Sequence, residues 1–361
     1  MQLFANLARA FPPPRFMTLP NAGVDISEVS LKYIQFRRTS GKLHLEQWGD
    51  LPIPDETVKR GDLINKDALI TVLKEFRKKT KVEYVRISLP EERAYLFETT
   101  VPHATSDIRS VLESHLEENV PLSPRDAYFD FAPVSTNSKT GEMRVSVAVY
   151  ARDTITGYYE ACRGADLIPL SFEVEAQAIA RATTPAANLG TYMIVDFGNT
   201  RTGIGIVHCG ALMLTSTIDI GGAQLSDALR RQMGARDEAE FTRIKNEQGL
   251  LRGVSAETHS TILSTISALK DELNMRINYW NLREENSNTE RTIQQIVLCG
   301  GSVNLAGLPE YLTEELNIPT ERAQVWQNAF AFSETIPTIT RRYSYGYATA
   351  IGLALTDFIT S

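Results

Sequence analysis

From Ser30 to Arg37 the side chains fall into two alternating sets, Leu31, Tyr33 and Gln35 against Lys32, Ile34 and Phe36. This is the period of two that puts successive residues on opposite faces of a strand. Val24-Asp25-Ile26 leads in, and Leu43 to Leu51 follows a Ser40-Gly41 turn, so Ala22 to Pro52 reads as three strands. The period then changes. Leu69, Val72, Leu73 and Phe76 stand at i, i+3, i+4 and i+7 and predict a helix over Asn65 to Lys78, before Val82 to Leu89 returns to strand and closes at Pro90.

A block of different rhythm follows. It contains a strand at Tyr95–Val101, a helix at Ser106–Asn119 with Thr105 or Ser106 as N-cap, and strands at Ala127–Val134 and Glu142–Ala151 around the polar loop Ser135–Gly141. A second helix covers Thr154–Ala165. The block reads as a small α+β insert, about 84–165, within a larger α/β unit. Leu167–Val174 resumes as strand and Glu175–Thr183 as helix; Tyr192–Asp196 is then a buried strand, followed by a Gly198-Asn199-Thr200 turn and the strand Gly203–His208. Two strand–Asp–turn–strand hairpins, at Asp25 and Asp196, thus lie about half a chain apart, an internal repeat that predicts two related lobes. The first lobe takes 15–83, 166–190 and 341–361; the second takes 191–340. Gly222 to Asn286 reads as helical, with Leu225, Leu229 and Met233 on one face and a long run from Thr258 to Trp280. Ile293–Leu298 is a last strand entering Cys299-Gly300-Gly301-Ser302, and Tyr345–Ile359 is a helix of small residues suited to close packing.

Composition narrows the function. The net charge of −7 and the lack of a long Lys/Arg run exclude nucleic-acid binding led by phosphate contacts. The one dense basic stretch, Arg77-Lys78-Lys79-Thr80-Lys81, closes a helical pattern and complements its dipole. Cys162, Cys209 and Cys299 have no metal-site spacing and read as buried thiols of a reducing compartment. Met1 to Pro14 is a weakly amphipathic turn or two ended by three prolines, without a signal peptide's long apolar core. No apolar run approaches the roughly 20 residues that cross a bilayer, so a soluble chain is expected.

The chemistry lies in three short segments. An Asp that ends a buried strand before a tight turn can face a hydrated Mg²⁺ while the turn's N–H groups meet phosphate oxygens, and Asp25 and Asp196 are both so placed. Gly198 allows close backbone approach, Asn199 and Thr200 add donors, and Lys32 lies on the outgoing strand within reach of a phosphate. The strand-ending Gly300-Gly301, with Ser302, offers bare backbone to a base or ribose.

Taken together these segments resemble a known superfamily. Gly23-Val24-Asp25-Ile26 with Lys32 resembles the first phosphate motif of the actin/Hsp70 ATPases, Ile194 to Thr200 the second, and Ile296 to Ser302 the adenosine motif. Within that superfamily the chain is most similar to the PilM family, related to FtsA, from about residue 20 to the end. Further similar stretches are Ile87-Ser88-Leu89-Pro90, Phe172-Glu173-Val174-Glu175, Asp219-Ile220-Gly221-Gly222 and Gly307 to Leu312. The resemblance implies an actin-like ATPase fold with an SHS2-like insert, and ATP with Mg²⁺ in the cleft. It also implies a cytoplasmic scaffold of pilus machinery. Its partners would be the cytoplasmic N-terminal peptide of a PilN-like inner-membrane protein, bound near the insert, and other pilus assembly components, with the membrane met only through them. Tyr95, Phe97, Tyr128 and Phe129 are candidate walls for that peptide, or else the insert's own core.

Two departures qualify the likeness. The family has Gly after the first Asp-Ile, then serines; here the loop is Ser27-Glu28-Val29-Ser30, with Ser27 and Ser30 as candidate phosphate contacts. Glu28 either faces the phosphates, a repulsion of roughly 3 kcal/mol at about 5 Å and an effective dielectric near 20, or turns to solvent. On the adenosine-contacting helix, Glu240 with Arg243 fits one register of the family's acid–base pair and Thr242 with Lys245 the other. Slow or absent hydrolysis is expected. Two rival readings are a small-metabolite kinase, for which Glu175 is the candidate catalytic carboxylate, and an FtsA-like filament former, which the absence of a basic amphipathic helix around Asp357–Ser361 disfavours.

Overall fold

The structure, a computed structural model, describes residues 19–39, 41–102, 107–137, 139–186, 189–234, 237–251, 255–283 and 291–359. The amphipathic start at Met1 to Pro14, the caps assigned to Thr105 or Ser106, and Ser40, Ser138 and Asn286 lie outside these residues.

Three antiparallel strands, β1 (Asn21–Ile26), β2 (Ser30–Thr39) and β3 (Lys42–Pro52), open the fold and are followed by a short ribbon of β4 (Val58–Lys59) and β5 (Asp62–Leu63). Helix α1 (Lys66–Thr80) starts where Asn65 Oδ1 accepts the Ala68 N–H at 3.0 Å. It stops at Lys81, whose left-handed φ of 62° ends the helical path. Its last-turn Arg77 is held by Asp166 at 3.2 Å. Next come β6 (Tyr84–Leu89), β7 (Tyr95–Pro102), α2 (Ile108–Asn119), β8 (Ala127–Asn137), β9 (Glu142–Ala151) and α3 (Arg152–Gly164). The cap of α2 is Asp107, which accepts from Ser110 N at 3.1 Å. The first half ends with β10 (Ile168–Val174) and α4 (Glu175–Thr183).

The second half contains β11 (Thr191–Phe197), β12 (Thr202–His208), β13 (Ala211–Ile218), α5 (Gly222–Met233), α6 (Glu238–Arg243) and α7 (Ala256–Leu282). It ends with β14 (Ile293–Cys299), α8 (Leu308–Leu316), β15 (Thr320–Arg322), α9 (Arg341–Ser344) and α10 (Ala348–Ala354). The region read as continuously helical is therefore broken, with a π-helical turn over Ile244–Gln248 after α6.

The two large sheets have one topology. Their orders are β3-β2-β1-β6-β10 and β13-β12-β11-β14-β15. In each, a three-strand antiparallel meander is followed by two strands parallel to its first member. The repeated hairpins seen in the sequence are the first two strands of these repeats. β13 and β15, absent from the sequence reading, are the counterparts of β3 and β10.

A third sheet, β7-β9-β8, has its own apolar core of Phe97, Val101, Leu112, Leu116, Phe129, Val145 and Val147 beneath α2. The strand at Val82–Leu89, which the bound at about residue 84 divides between lobe and insert, pairs along Tyr84–Leu89 with β1 and β10 in the first large sheet.

Small residues fix α10 in place. A Cβ on Gly352 would lie 1.7 Å from the Ala178 carbonyl oxygen of α4, and one on Gly23 of β1 would lie 2.2 Å from the Ala350 carbonyl oxygen. Neither obstacle can rotate away. Gly352→Ala is expected to destabilise the protein by about 3 kcal/mol. Gly157→Ala in α3 is the control, since its methyl would meet only Leu63 Cδ2 at 3.5 Å, and it should stabilise by up to about 1 kcal/mol through helix propensity. Urea unfolding midpoints of the two variants check both signs.

Candidate functional site

Parallel strands expose their carboxyl ends on one side of a sheet, and ligands of α/β proteins collect there. Here β1, β6 and β10 of the first lobe and β11 and β14 of the second all end at one cleft. Asp25 and Asp196 are the next-to-last residues of β1 and β11. Glu91 follows β6 after Pro90, Glu175 follows β10 directly, and Gly300 follows β14 directly. They line a cavity of about 200 Å³ together with Ser27, Glu28, Lys32, Glu92, Gly198, Asn199, Thr200, Arg201, Gly301 and Gly346. The cavity joins most of the phosphate and adenosine residues expected from sequence.

Its charge is one-sided. Asp25 is 8% exposed, sits opposite Lys32 in the β1–β2 register, and accepts a hydrogen bond from Ser88 Oγ at 2.9 Å. Burial raises its pKa, and Lys32 and Ser88 oppose that rise. Asp196 is pushed up to about 6, first by burial and then by the charge of Asp25, with Lys32 offsetting part. Glu175 is raised well above the usual range by burial, then by Asp25, Glu91, Glu92 and Asp196. Glu91 is raised well above it by burial and then by Asp196; it is 4% exposed, and its Oε2 is buried without a hydrogen-bond partner. Lys32 and Arg201 are the cations among the described lining residues. A divalent cation would relieve these carboxylates, so the donor set fits Mg²⁺ in chemistry. Among the described residues no group of three or more His, Cys, Asp or Glu side chains is arranged to hold a metal ion. A cation here would therefore keep much of its water, as Mg²⁺ does.

The loops explain which expected residues reach the cavity. The Ser27 hydroxyl donates to Ser30 O at 3.0 Å and accepts from Ser30 N at 3.2 Å, closing the β1–β2 turn on itself. Ser27 lines the cavity and Ser30 does not. Glu28 neither faces the phosphate space uncompensated nor points to solvent. It is ion-paired with Arg201 and accepts from Arg60 N at 2.7 Å. In the second loop Gly198 N donates to Arg201 O at 3.0 Å, and Ser302 Oγ donates to Gly198 O at 2.8 Å. Ser302 thus braces the loop from behind and is not a lining residue. Gly300 has φ 95°, and a Cβ there would sit 2.3 Å from Asp196 Oδ1, so only glycine brings this backbone against the aspartate.

Glu240, Arg243 and Lys245 are not brought to the cavity. Arg243 makes an exposed pair with Glu247 at 3.8 Å, and Lys245 Nζ donates to Ser226 Oγ at 2.7 Å beneath α5. The π-helical turn that carries Lys245 bonds to the loop after β14, with Ala306 N donating to Lys245 O at 3.0 Å. Glu91, Glu92, Arg201 and Gly346 are among the lining residues that the sequence reading missed. The signal for Glu91 and Glu92 was their place just past a parallel strand, and for Arg201 its adjacency to Thr200. Of the candidate peptide walls, Phe97 and Phe129 belong to the insert's own core, while Tyr95 and Tyr128 are 40% and 42% exposed.

Two lobes of one repeated topology, closing strand-end aspartates around a small polar cleft, define an actin-like ATPase fold. Solved structures agree. The chain is similar to MreB5 of Spiroplasma citri bound to ADP (12% identity, 95% of this chain and 97% of that one, TM-score 0.56). It is also similar to the ethanolamine utilization protein EutJ from Carboxydothermus hydrogenoformans (15%, 96% and 90%, TM-score 0.52). A third similar structure is a PilM-PilN type IV pilus biogenesis complex (21%, 95% and 98%, TM-score 0.75). The family model for type IV pilus assembly protein PilM matches residues 23–358, and the chain belongs to that family. No helix among the described residues is long and apolar enough to cross a membrane.

The raised Glu91 carboxyl has a measurable consequence. Because its folded pKa lies above the ordinary 4.5, the folded state holds a proton that the unfolded state releases between those two values. Stability from this group is present at low pH and lost as pH rises through the folded pKa. Glu91→Gln is expected to raise the melting temperature of the ligand-free protein at pH 8. The gain over wild type should shrink on going to pH 5.

Proposed function

We propose that this chain is a nucleotide-binding scaffold of type IV pilus machinery, taking ATP with hydrated Mg²⁺ in the cleft and a PilN-like membrane protein on its insert. One observation carries the nucleotide half. Asp25, Lys32 and Asp196 on three strands and Gly300 just past a fourth, from two sheets in a chain of the PilM family, line one cavity. Asp25 and Asp196 would face the cation's waters from opposite lobes. Lys32 and the N–H groups of the Gly198–Thr200 turn would meet phosphate oxygens. The bare backbone at Gly300 and Gly301 would lie against the nucleoside.

ATP would supply the charge that draws the lobes to one angle. The residues do the rest. Glu175, with its carboxyl held toward the protonated form by burial and neighbouring acids, is a poor base until a cation enters, in keeping with slow or absent turnover.

The partner half rests on the family and on the architecture. A PilM-PilN complex has the same fold over 95% of this chain. We assign the PilN-like peptide to the surface where the β7-β9-β8 sheet meets the first lobe, beside the exposed Tyr95 and Tyr128. In this reading the protein works at the cytoplasmic face of the inner membrane through that partner. The insert also touches the second lobe, where Arg291 Nη2 donates to Glu98 Oε1 at 2.8 Å. Lobe angle and insert position are thereby linked, so nucleotide would bias the partner site by shifting a population of lobe angles.

Calorimetric titration with Mg·ATP tests the cleft. Asp196→Ala should weaken binding about tenfold or more, roughly 1.4 kcal/mol, in a protein with a normal melt. An unchanged dissociation constant would remove Asp196 from the site. The partner is tested with the N-terminal peptide of the PilN-like protein, whose affinity should fall in a Tyr95→Ala/Tyr128→Ala double variant.

A further inference from the structure

The cleft holds one contact that nucleotide binding does not require. Arg201, the residue after Thr200 in the second loop, places its guanidinium against two carboxylates from other turns. One is Glu28 in the β1–β2 turn; the other is Glu92 in the 3₁₀ turn of Glu91–Arg93, which leads from β6 into β7. The side chains are sheltered, at 12% exposure for Arg201 and 23% for each glutamate. The clasp therefore ties together the first phosphate loop, the second phosphate loop and the entry to the β7-β9-β8 sheet. All three residues line the same cavity. Its volume of about 200 Å³ is below the ~300–1,000 Å³ usual for small-molecule pockets.

A guanidinium recognises carboxylate and phosphate with the same planar, paired donors. A polyphosphate entering between the loops would meet Arg201 already inside the cavity, competing with Glu28 and Glu92 for the same N–H groups. Glu28 has somewhere to go: its Oε1 already accepts from Arg60 N at 2.7 Å, and its neighbour Val29 is 46% exposed, so the turn lies at the surface.

We propose that Arg201 is a phosphate ligand held in reserve: an entering nucleotide polyphosphate takes its guanidinium from Glu28 and Glu92, and release of the Glu92 turn carries cleft occupancy to the β7-β9-β8 sheet. This deepens the nucleotide reading of the same cleft and rests on it. The two glutamates then act as competitors that lower nucleotide affinity, and their removal has opposite effects on stability and on binding.

The test uses the full chain, Mg·ATP and AMP as probes, and the variants Glu28→Gln, Arg201→Met and the two combined. Glu28→Gln should melt earlier than wild type without ligand, yet bind ATP about tenfold tighter, with AMP changed much less. Arg201→Met should bind ATP about tenfold more weakly, and adding Glu28→Gln to it should change nothing further, because no clasp remains to release. A wild type that binds no ATP beside a Glu28→Gln variant that does would also support the clasp, as a cleft held shut.

If Glu28→Gln loses stability and affinity together, the contact is merely structural and the proposal falls. If wild type binds ATP and Glu28→Gln leaves its dissociation constant unchanged, the proposal falls while the nucleotide reading stands. If neither protein binds ATP, both fall.

Discussion

The structure depends on holding Asp25, Glu91, Glu175 and Asp196 together where two sheets end, with Lys32 and Arg201 as the cations among the described lining residues. Burial is the first cause that raises all four pKa values, and for Glu91, Glu175 and Asp196 the neighbouring acids come next. Such an arrangement opposes folding, and it persists because what lies behind it is tightly packed. Val24, Ile87, Val195, Phe197 and Leu298, on the strands that end at the cleft, are fully or almost fully buried. Helix α10 is pressed between β1 and α4 at glycine contacts that admit no side chain. The apolar interior thus offsets an electrostatic strain that a bound cation and nucleotide would relieve. A site that is costly without its ligand is also a site whose occupancy is felt by the whole fold.

That coupling has a route. The three-stranded insert is joined by the chain to the first lobe, yet its Glu98 is paired with Arg291 of the second lobe at 7% and 8% side-chain exposure. A buried pair of this kind resists being pulled apart, and Arg144 at 3.3 Å holds the same carboxylate from within the insert. The insert therefore cannot ignore a change in the angle between lobes. The contact of Arg201 with Glu92 reaches the same insert from the cleft side. Scaffold function needs just such a link between an occupied cleft and a partner-binding surface, and it does not need rapid chemistry. The rival kinase and filament readings gain nothing from family membership.

Much of this was legible in the chain itself. Period-two and period-3.6 patterns located most strands and helices, because those patterns record which face of each element meets the core. The aspartate hairpins and the Gly300-Gly301 step announced the two-lobed plan and its cleft, since a strand-ending acid before a tight turn and a bare glycine backbone are local requirements. The repeat held more than was drawn from it: β3 and β10 call for counterparts, and β13 and β15 are these strands. β15 was hidden by its three residues, too few for alternation to register.

Tertiary structure decided the rest, for the reason that charge pairing and burial are properties of neighbours distant in sequence. Glu28 reads as a repulsive or solvated residue until Arg201, from the other lobe, is found against it. Ser30 and Ser302 read as ligand contacts, and the hydrogen bonds of the Ser30 N–H and the Ser302 hydroxyl go to the loops themselves. Lys245 reads as one of two registers for a ribose contact, and its ammonium is bonded to Ser226. Sequence by itself determined which strands would end in acids and glycines; only the closing of two sheets on one another determined which of those groups would share a cavity, and which cation would answer them.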